Sequence, residues 1–276
     1  VPVVFTFSFT SKEKKARPYE SLYDLLGPLD IKVLDEYRSQ VTTHVVAKKR
    51  NTAKGLQALI EGKHIVHNDS FINAVIAASH AAVGGKSPLE NDFGLNWPDE
   101  QQFLPPKGEE PTARRDEAYA PSQGRQDMFD GYTFVFYERK QFQNLLPPIT
   151  TGRGKALFRD VIPETTTVDD FVRYVKSVAG EKGLGELEDG SVGRGVVVVR
   201  FNPVGGEGSE WYAEFGRKVA LQLDQRLIEQ NEFLDAILGQ DGSVLRKPLD
   251  FISSSVAAPL PSTGEFLVLL STVYFC

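Results

Sequence analysis

Two side chains in this sequence are placed to hold an anion. Lys54 falls in the first turn of a helix that opens after Thr43-His44-Val45-Val46-Ala47, a short buried strand, and the basic turn Lys48-Lys49-Arg50-Asn51. Backbone N–H groups in a first helical turn are unpaired and that end of the dipole is positive. A lysine there does little for helix stability and makes more sense if it shares an anion with the turn. The plainer alternative is a solvated surface lysine. Ser8 closes the first strand of the chain, and the backbone N–H of Phe9 follows it. In a parallel α/β sheet, strand C-termini and helix N-termini meet on one edge. A hydroxyl, an N–H and an ammonium converging there satisfy three phosphate oxygens through charge-assisted bonds, with the lysine acting as a point charge.

Other motifs carry less. Gly152-Arg153-Gly154-Lys155 is like a phosphate loop, but that pattern needs Gly at 149 and Ser or Thr at 156, where this chain has Ile149 and Ala156. Gly205-Gly206-Glu207-Gly208 lacks dinucleotide-binding spacing, and Glu207 repels a pyrophosphate. Of the histidines His44, His64, His67 and His80, only His64 and His67 are close in sequence, and no Cys or third ligand joins them. His44 reads as a packed strand residue. No strained-turn serine motif occurs. The expectation is no catalytic residue, no metal and no cofactor.

The 276 residues are 41% hydrophobic and 25% charged, the balance of a globular protein with room for two modest domains. No run reaches the ~20 apolar residues of a membrane span, so no membrane partner is expected. Cys276 is the sole cysteine, which excludes an intrachain disulfide and points to a reducing compartment. The chain starts at Val1 without a signal-peptide pattern, and reads as part of something longer. Residues 1–79 carry 11 Lys and Arg against 8 Asp and Glu, a net of +3, so the remainder holds −9 of the overall −6. A basic first domain on an acidic chain suits a local anionic ligand better than broad nucleic-acid binding.

The elements that must position Ser8 and Lys54 follow from periodicity. Val3 to Phe9 alternates as a strand, and Ser11 to Pro18 reads as a charged turn. Tyr19 to Leu26 is a helix stopped by Gly27-Pro28. Ile31–Leu34, Thr43–Ala47 and His64–Val66 are short strands. Thr52–Glu61 is a helix capped by Asn51 or Thr52, and Asn68-Asp69 caps another. This β-α-β-β-α-β-α order implies a mainly parallel sheet covered on both faces. Residues 80–130 are broken by Gly84-Gly85, Pro88, Pro98, Pro105-Pro106, Pro111 and Pro121, with Trp97, Phe103 and Leu104 available as anchors. A second cycle follows: strand Tyr132–Tyr137, short helix Gln141–Leu146, strand Ala156–Val161, helix Val168–Ala179, a Gly- and acid-rich insertion over Gly180–Gly195, strand Val196–Phe201, helix Glu210–Leu227 and helix Asn231–Leu238. The second unit repeats the first loosely.

These residues carry a family resemblance. Val3–Ser79 resembles a BRCT domain: the hydrophobic strand ending in Ser8, Thr43-His44-Val45-Val46, Thr52-x-Lys54, Gly62-Lys63-x-Ile65-Val66, and Phe71 where the family usually has Trp. With the Pro-rich linker, Gly124-Arg125-Gln126 and Phe129-x-Gly131-x-Thr133-Phe134-Val135-Phe136, the chain is similar to the tandem BRCT regions of the fungal-type nibrin family. The resemblance implies an α/β fold of two BRCT-like domains, each a small mainly parallel four-stranded sheet flanked by helices. It divides the chain into a first domain (1–80), a Pro-rich linker (81–128), a second domain with insertions (129–250) and an uncertain tail (251–276).

The resemblance also implies a non-enzymatic nuclear adaptor of the MRN double-strand-break sensing and repair complex, with checkpoint and telomere roles. It would bind phosphorylated Ser/Thr proteins, carry an FHA domain upstream, reach the nuclease and ATPase subunits through regions outside this stretch, and meet DNA only indirectly. The family's phosphate pocket carries over to Ser8, the Phe9 N–H and Lys54. One departure is that Phe9 stands where the family usually has Gly, which allows close backbone approach to an anion, and Thr10 is an alternative hydroxyl. No matching pair occurs in the second domain, which is expected to supply a groove reading residues beside the phosphate. A phosphate-independent scaffold is the rival reading. Duplex binding through Lys12, Lys14, Lys15, Arg17, Lys48, Lys49 and Arg50 is set aside in favour of two solvated turns.

Overall fold

In a computed structural model, residues 2–16, 18–81, 85–108, 112–180, 194–203, 205 and 208–249 are described. Most of the Gly180–Gly195 insertion and all of 251–276 lie outside them. Strand β1 (Val4–Ser8) is followed by α1 (Ser11–Lys15), α2 (Pro18–Leu26), β2 (Lys32–Leu34), β3 (His44–Ala47), α3 (Ala53–Ile60), β4 (His64–His67) and α4 (Asn68–Ser79). The sheet order is β2-β1-β3-β4, every pairing parallel, with Ser8 opposite Ala47 and His44 opposite His64. The near-continuous apolar runs of β1 and β3 fit a sheet buried on both faces.

Local chemistry alters two expectations here. The charged turn after β1 is a short helix, because Thr10 accepts from the Glu13 N–H at 3.3 Å while the Glu13 carboxylate takes the Thr10 N–H at 2.8 Å. Asn68 and Asp69 stand inside α4 rather than capping it; His67 holds the cap position without a side-chain capping bond.

The expected structureless linker is a packed strap. It contains α5 (Pro88–Asn91), α6 (Phe93–Asn96) and single 3-10 turns at Glu100–Phe103, Asp116–Tyr119 and Gln123–Arg125. Trp97 and Phe103 lie 5.9 and 5.7 Å from the Phe71 ring, inside the first core. Arg50, expected in a solvated turn, is buried: it donates to the Pro105 carbonyl at 2.6 Å and to Asp116 at 2.9 Å, beneath the Tyr119 ring. Arg125 is buried on the Ala118 and Ala120 carbonyls.

The second lobe comprises β5 (Tyr132–Phe136), α7 (Arg139–Thr151), β6 (Lys155–Phe158), α8 (Val168–Ala179), β7 (Gly195–Val199), α9 (Ser209–Leu223) and α10 (Glu232–Gly239). Its sheet is parallel, in the order β6-β5-β7. The fourth strand expected there is reduced, among the described residues, to one parallel bridge between Val199 and Ile228. Helix α9 stops at Leu223, short of the expected Leu227, because Asp224 turns left-handed at φ 50°.

Helix α7 runs through Pro147 and Pro148, where the sequence reading ended it. The two prolines remove bonds to the carbonyls of Gln143 and Asn144, residues exposed to water that can satisfy them. In exchange Leu145, Pro148 and Ile149 are buried, and α7 packs on α3. One apolar cluster thus joins Leu56, Leu59 and Ile60 of α3 to Phe134, Ile149 and Phe233.

The chain leaves α7 under Phe129, and a Cβ at Gly154 would lie 2.8 Å from the Phe129 Cβ and 2.9 Å from the Ile149 Cγ2. Gly154→Ala should therefore destabilise by about 1–3 kcal/mol in urea unfolding. Gly27→Ala, where a Cβ meets nothing within 4 Å, should change stability by less than about 0.5 kcal/mol.

Candidate phosphate-recognition site

Thr52 caps α3 by accepting the Gly55 N–H at 3.1 Å, which sets Lys54 in the first turn facing the C-terminal end of β1. The Lys54 ammonium donates to the Phe7 carbonyl at 3.0 Å, one residue before Ser8. The structure thus brings Lys54 to the strand end on which the anion reading depends. Ser8 is half-buried, and among the described residues no hydrogen bond reaches its hydroxyl. The Phe9 ring stacks on Phe7 at 5.2 Å and meets Tyr19 edge-on at 5.4 Å. Its bulk is absorbed into an aromatic cluster on the first core. Thr10 is committed elsewhere: its hydroxyl donates to the Glu13 carboxylate at 2.8 Å within the α1 cap. A Lys48 hydrogen bond, and then the Thr10 N–H, hold the Glu13 carboxyl down at about 2.

Sequence reasoning missed the acidic neighbours. Lys54 also donates to the Asp35 carbonyl, and the Asp35 and Glu36 carboxylates each lie 4.0 Å from its nitrogen. Lys14 is 2.9 Å from Asp35 and 3.6 Å from Glu36, and the Tyr19 hydroxyl donates to Asp35 at 2.6 Å. The signal was in plain view: Asp35-Glu36 follow β2, the neighbour of β1, and so emerge at the same sheet edge. Two ammonium groups and two carboxylates leave this edge near neutrality. Burial lowers the Lys54 pKa against the opposing pull of Glu36 and Asp35, while hydrogen bonds from Tyr19 and then Lys14 lower that of Asp35. The basic residues meanwhile do not form one face. Lys14 is turned to Asp35, Lys48 pairs with Glu13 at 2.8 Å, and Arg50 is internal; Arg17 lies outside the described residues.

The second lobe adds a polar cleft of about 300 Å³ lined by Asn51, Gln141, Arg200, Asn202, Glu229 and Asn231. Asn51 leads into α3 and Gln141 lies near the start of α7, so the cleft opens at the same end of α3 as Lys54.

The chain is built of two parallel α/β lobes joined through a shared helix pair. Residues 123–248 match the family model described as the second BRCT domain on Nijmegen syndrome breakage protein. Over that stretch, the end of the strap and the second lobe, the chain is similar to a nibrin-type BRCT domain. Among solved structures, one of Rtt107p (residues 820–1070) is similar at 11% identity and a TM-score of 0.41, with 87% of each chain covered. The S. pombe Nbs1–Ctp1 complex is similar at 11% identity and a TM-score of 0.33, covering 90% of this chain and 64% of that one. Rad4 BRCT1,2 in complex with a Crb2 phosphopeptide is similar at 10% identity and a TM-score of 0.27, covering 90% and 94%. At these scores the three likenesses carry no argument about function.

Asp35 ties Tyr19 and Lys14 to the site, so Asp35→Asn should destabilise the fold at pH 7. The loss should stay below about 1 kcal/mol, because the side chain is half exposed and solvent screens it. The folded carboxyl titrates below the unfolded value of 3.8, so its contribution is present above that pH and fades as pH falls through the folded pKa. Urea unfolding should show the variant and the parent converging below pH 3.8.

Proposed function

We propose that this chain is a tandem BRCT region acting as a phosphopeptide-binding adaptor module that recruits phosphorylated damage-response partners to the MRN complex. In this reading Ser8, the Phe9 N–H and Lys54 hold the phosphate, and the cleft around Arg200 reads residues beside it. The module works in the nucleus beside an upstream FHA domain, without chemistry of its own, and meets the nuclease and ATPase subunits through other parts of the protein. The observation that carries the proposal is the Lys54 ammonium within hydrogen-bond reach of the β1 terminus. The match of residues 123–248 to a nibrin BRCT domain supports its setting. Arg200 adds a cation whose Nε is buried without a hydrogen-bond partner.

A second reading rests on the acidic pair. A dianion arriving at Lys54 meets Asp35 and Glu36, each already 4.0 Å from the nitrogen. If these carboxylates are the permanent partners of Lys54, the region is a phosphate-independent scaffold for a neighbouring FHA domain or partner protein.

Calorimetry with a library of matched phosphorylated and unphosphorylated peptides separates the two. Phosphopeptide selectivity, weakened by about 1.5–3 kcal/mol in Lys54→Met, is the expected result; equal affinity for both forms leaves the scaffold. The Asp35→Asn, Glu36→Gln double variant should bind the phosphopeptide more tightly, because it removes like charge from the path of the anion. Lys54→Met should change stability only modestly, because the burial cost of the ammonium offsets its bonds to the Phe7 and Asp35 carbonyls. A base whose folded pKa lies below its unfolded value of 10.5 costs folding energy while charged, and that cost disappears only as pH rises past both values.

A further inference from the structure

The opposite end of the first sheet holds a cluster that sequence spacing did not reveal. His44 and His64 open the neighbouring strands β3 and β4, paired in register, and their rings stack 5.0 Å apart. The strap brings Glu100 over them. The His44 Nε2 lies 3.1 Å from one Glu100 oxygen and the His64 Nδ1 lies 3.8 Å from the other, with all the potential ligand atoms within 4.8 Å of one another. The third ligand missing from the sequence thus comes from a segment read there as linker.

Hydrogen-bond accounting leaves one of the three ligand atoms without a partner. Thr43 Oγ1 accepts the Val4 N–H at 2.9 Å and lies 2.9 Å from the Val4 carbonyl, which the Thr43 N–H also reaches at 3.0 Å. The hydroxyl's contact to His44 Nδ1 at 2.8 Å can run in either direction; with the hydroxyl donating, the neutral imidazole gives its Nε2–H to Glu100 at 3.1 Å. That leaves His64. The His64 Nδ1 is buried without a hydrogen-bond partner, and 3.8 Å is too long for a bond to Glu100. A divalent cation satisfies all three atoms together.

We propose that His44 Nε2, His64 Nδ1 and Glu100 form a binding site for a divalent transition-metal ion of the zinc class. Ligands about 2.0–2.2 Å from a tetrahedral ion stand roughly 3.3–3.5 Å apart, and the observed 3.1 and 3.8 Å bracket that spacing. The outer partners that orient such ligands are in place: Thr43 Oγ1 lies 2.8 Å from His44 Nδ1 and can accept its N–H, and the Trp97 indole N–H donates to Glu100 at 2.8 Å. The His44 side chain is 7% exposed and that of His64 31%, so the site is closed beneath and open on one side, where water completes the shell. An ion here clamps the strap to the sheet, at the end away from Ser8 and Lys54.

The test is zinc binding to the whole chain, with Cys276→Ser as background so that the thiol contributes no ligand. After chelator dialysis, zinc titration by calorimetry should show one ion per chain and a raised thermal midpoint, and cobalt should give the visible bands of tetrahedral nitrogen and oxygen ligation. His64→Gln should weaken binding roughly 100-fold, and Trp97→Phe about tenfold, as loss of an outer partner does. His67→Gln should leave it unchanged. Absence of zinc uptake, or uptake that persists in His64→Gln, overturns the proposal. So does a His44 ring found by nitrogen NMR to carry protons on both nitrogens in zinc-supplemented protein.

Discussion

Helix α3 is the constraint on which the architecture depends, because it is buried on two sides at once. One side covers β3 and β4; the other meets α7 and α10 of the second lobe. Gly55, Leu56, Ala58, Leu59 and Ile60 are all buried, leaving Lys54 and Gln57 among the few polar side chains the helix carries. Even Gln57 is used between lobes, donating to the Thr151 hydroxyl at 3.2 Å. The first turn of α3 is therefore fixed by packing from both lobes. That is what a point charge needs if it is to sit at a set distance from the β1 terminus. The same double burial explains why α7 accepts two prolines: the facing surface of α3 must be filled, and Pro148 and Ile149 fill it.

The strap plays the complementary part. A linker that merely spanned two domains would not bury two arginines. Here Arg50 and Arg125 take backbone carbonyls as partners, so segments without a sheet or long helix still have their polar groups satisfied. Arg114 extends the strap to the second lobe, donating to the Asp235 carbonyl at 3.1 Å. Fixed in this way, the strap delivers Glu100 to the two histidines and Asn51 remains at the mouth of the inter-lobe cleft.

The strongly periodic elements were legible in the sequence, since β1, β3, α3, α8 and β7 each present an unbroken apolar face. So was the approach of Lys54 to the first strand, which follows from helix N-termini and strand C-termini sharing an edge. What escaped depended on contacts between distant segments. Nothing in Lys48-Lys49-Arg50 distinguishes the inward arginine from the outward lysines until Asp116 and Pro105 arrive from the strap. The length of α7 was hidden because proline rules describe a helix alone, not one packed against a neighbour. Asp35 and Glu36 were overlooked for a different reason: they follow a three-residue strand, and their place beside Lys54 depends on β2 lying next to β1.

The chain has two tryptophans, and the fold assigns one to each half. Trp97 sits in the strap against Phe93 at 5.0 Å and within the aromatic group around Phe5 and Phe71, whereas Trp211 stacks on Phe215 at 4.9 Å in the outer core of the second lobe. Each half is thus furnished with its own intrinsic fluorophore. Because the apolar cluster through α3 joins the two lobes, comparing single-tryptophan versions reads out whether the halves melt together.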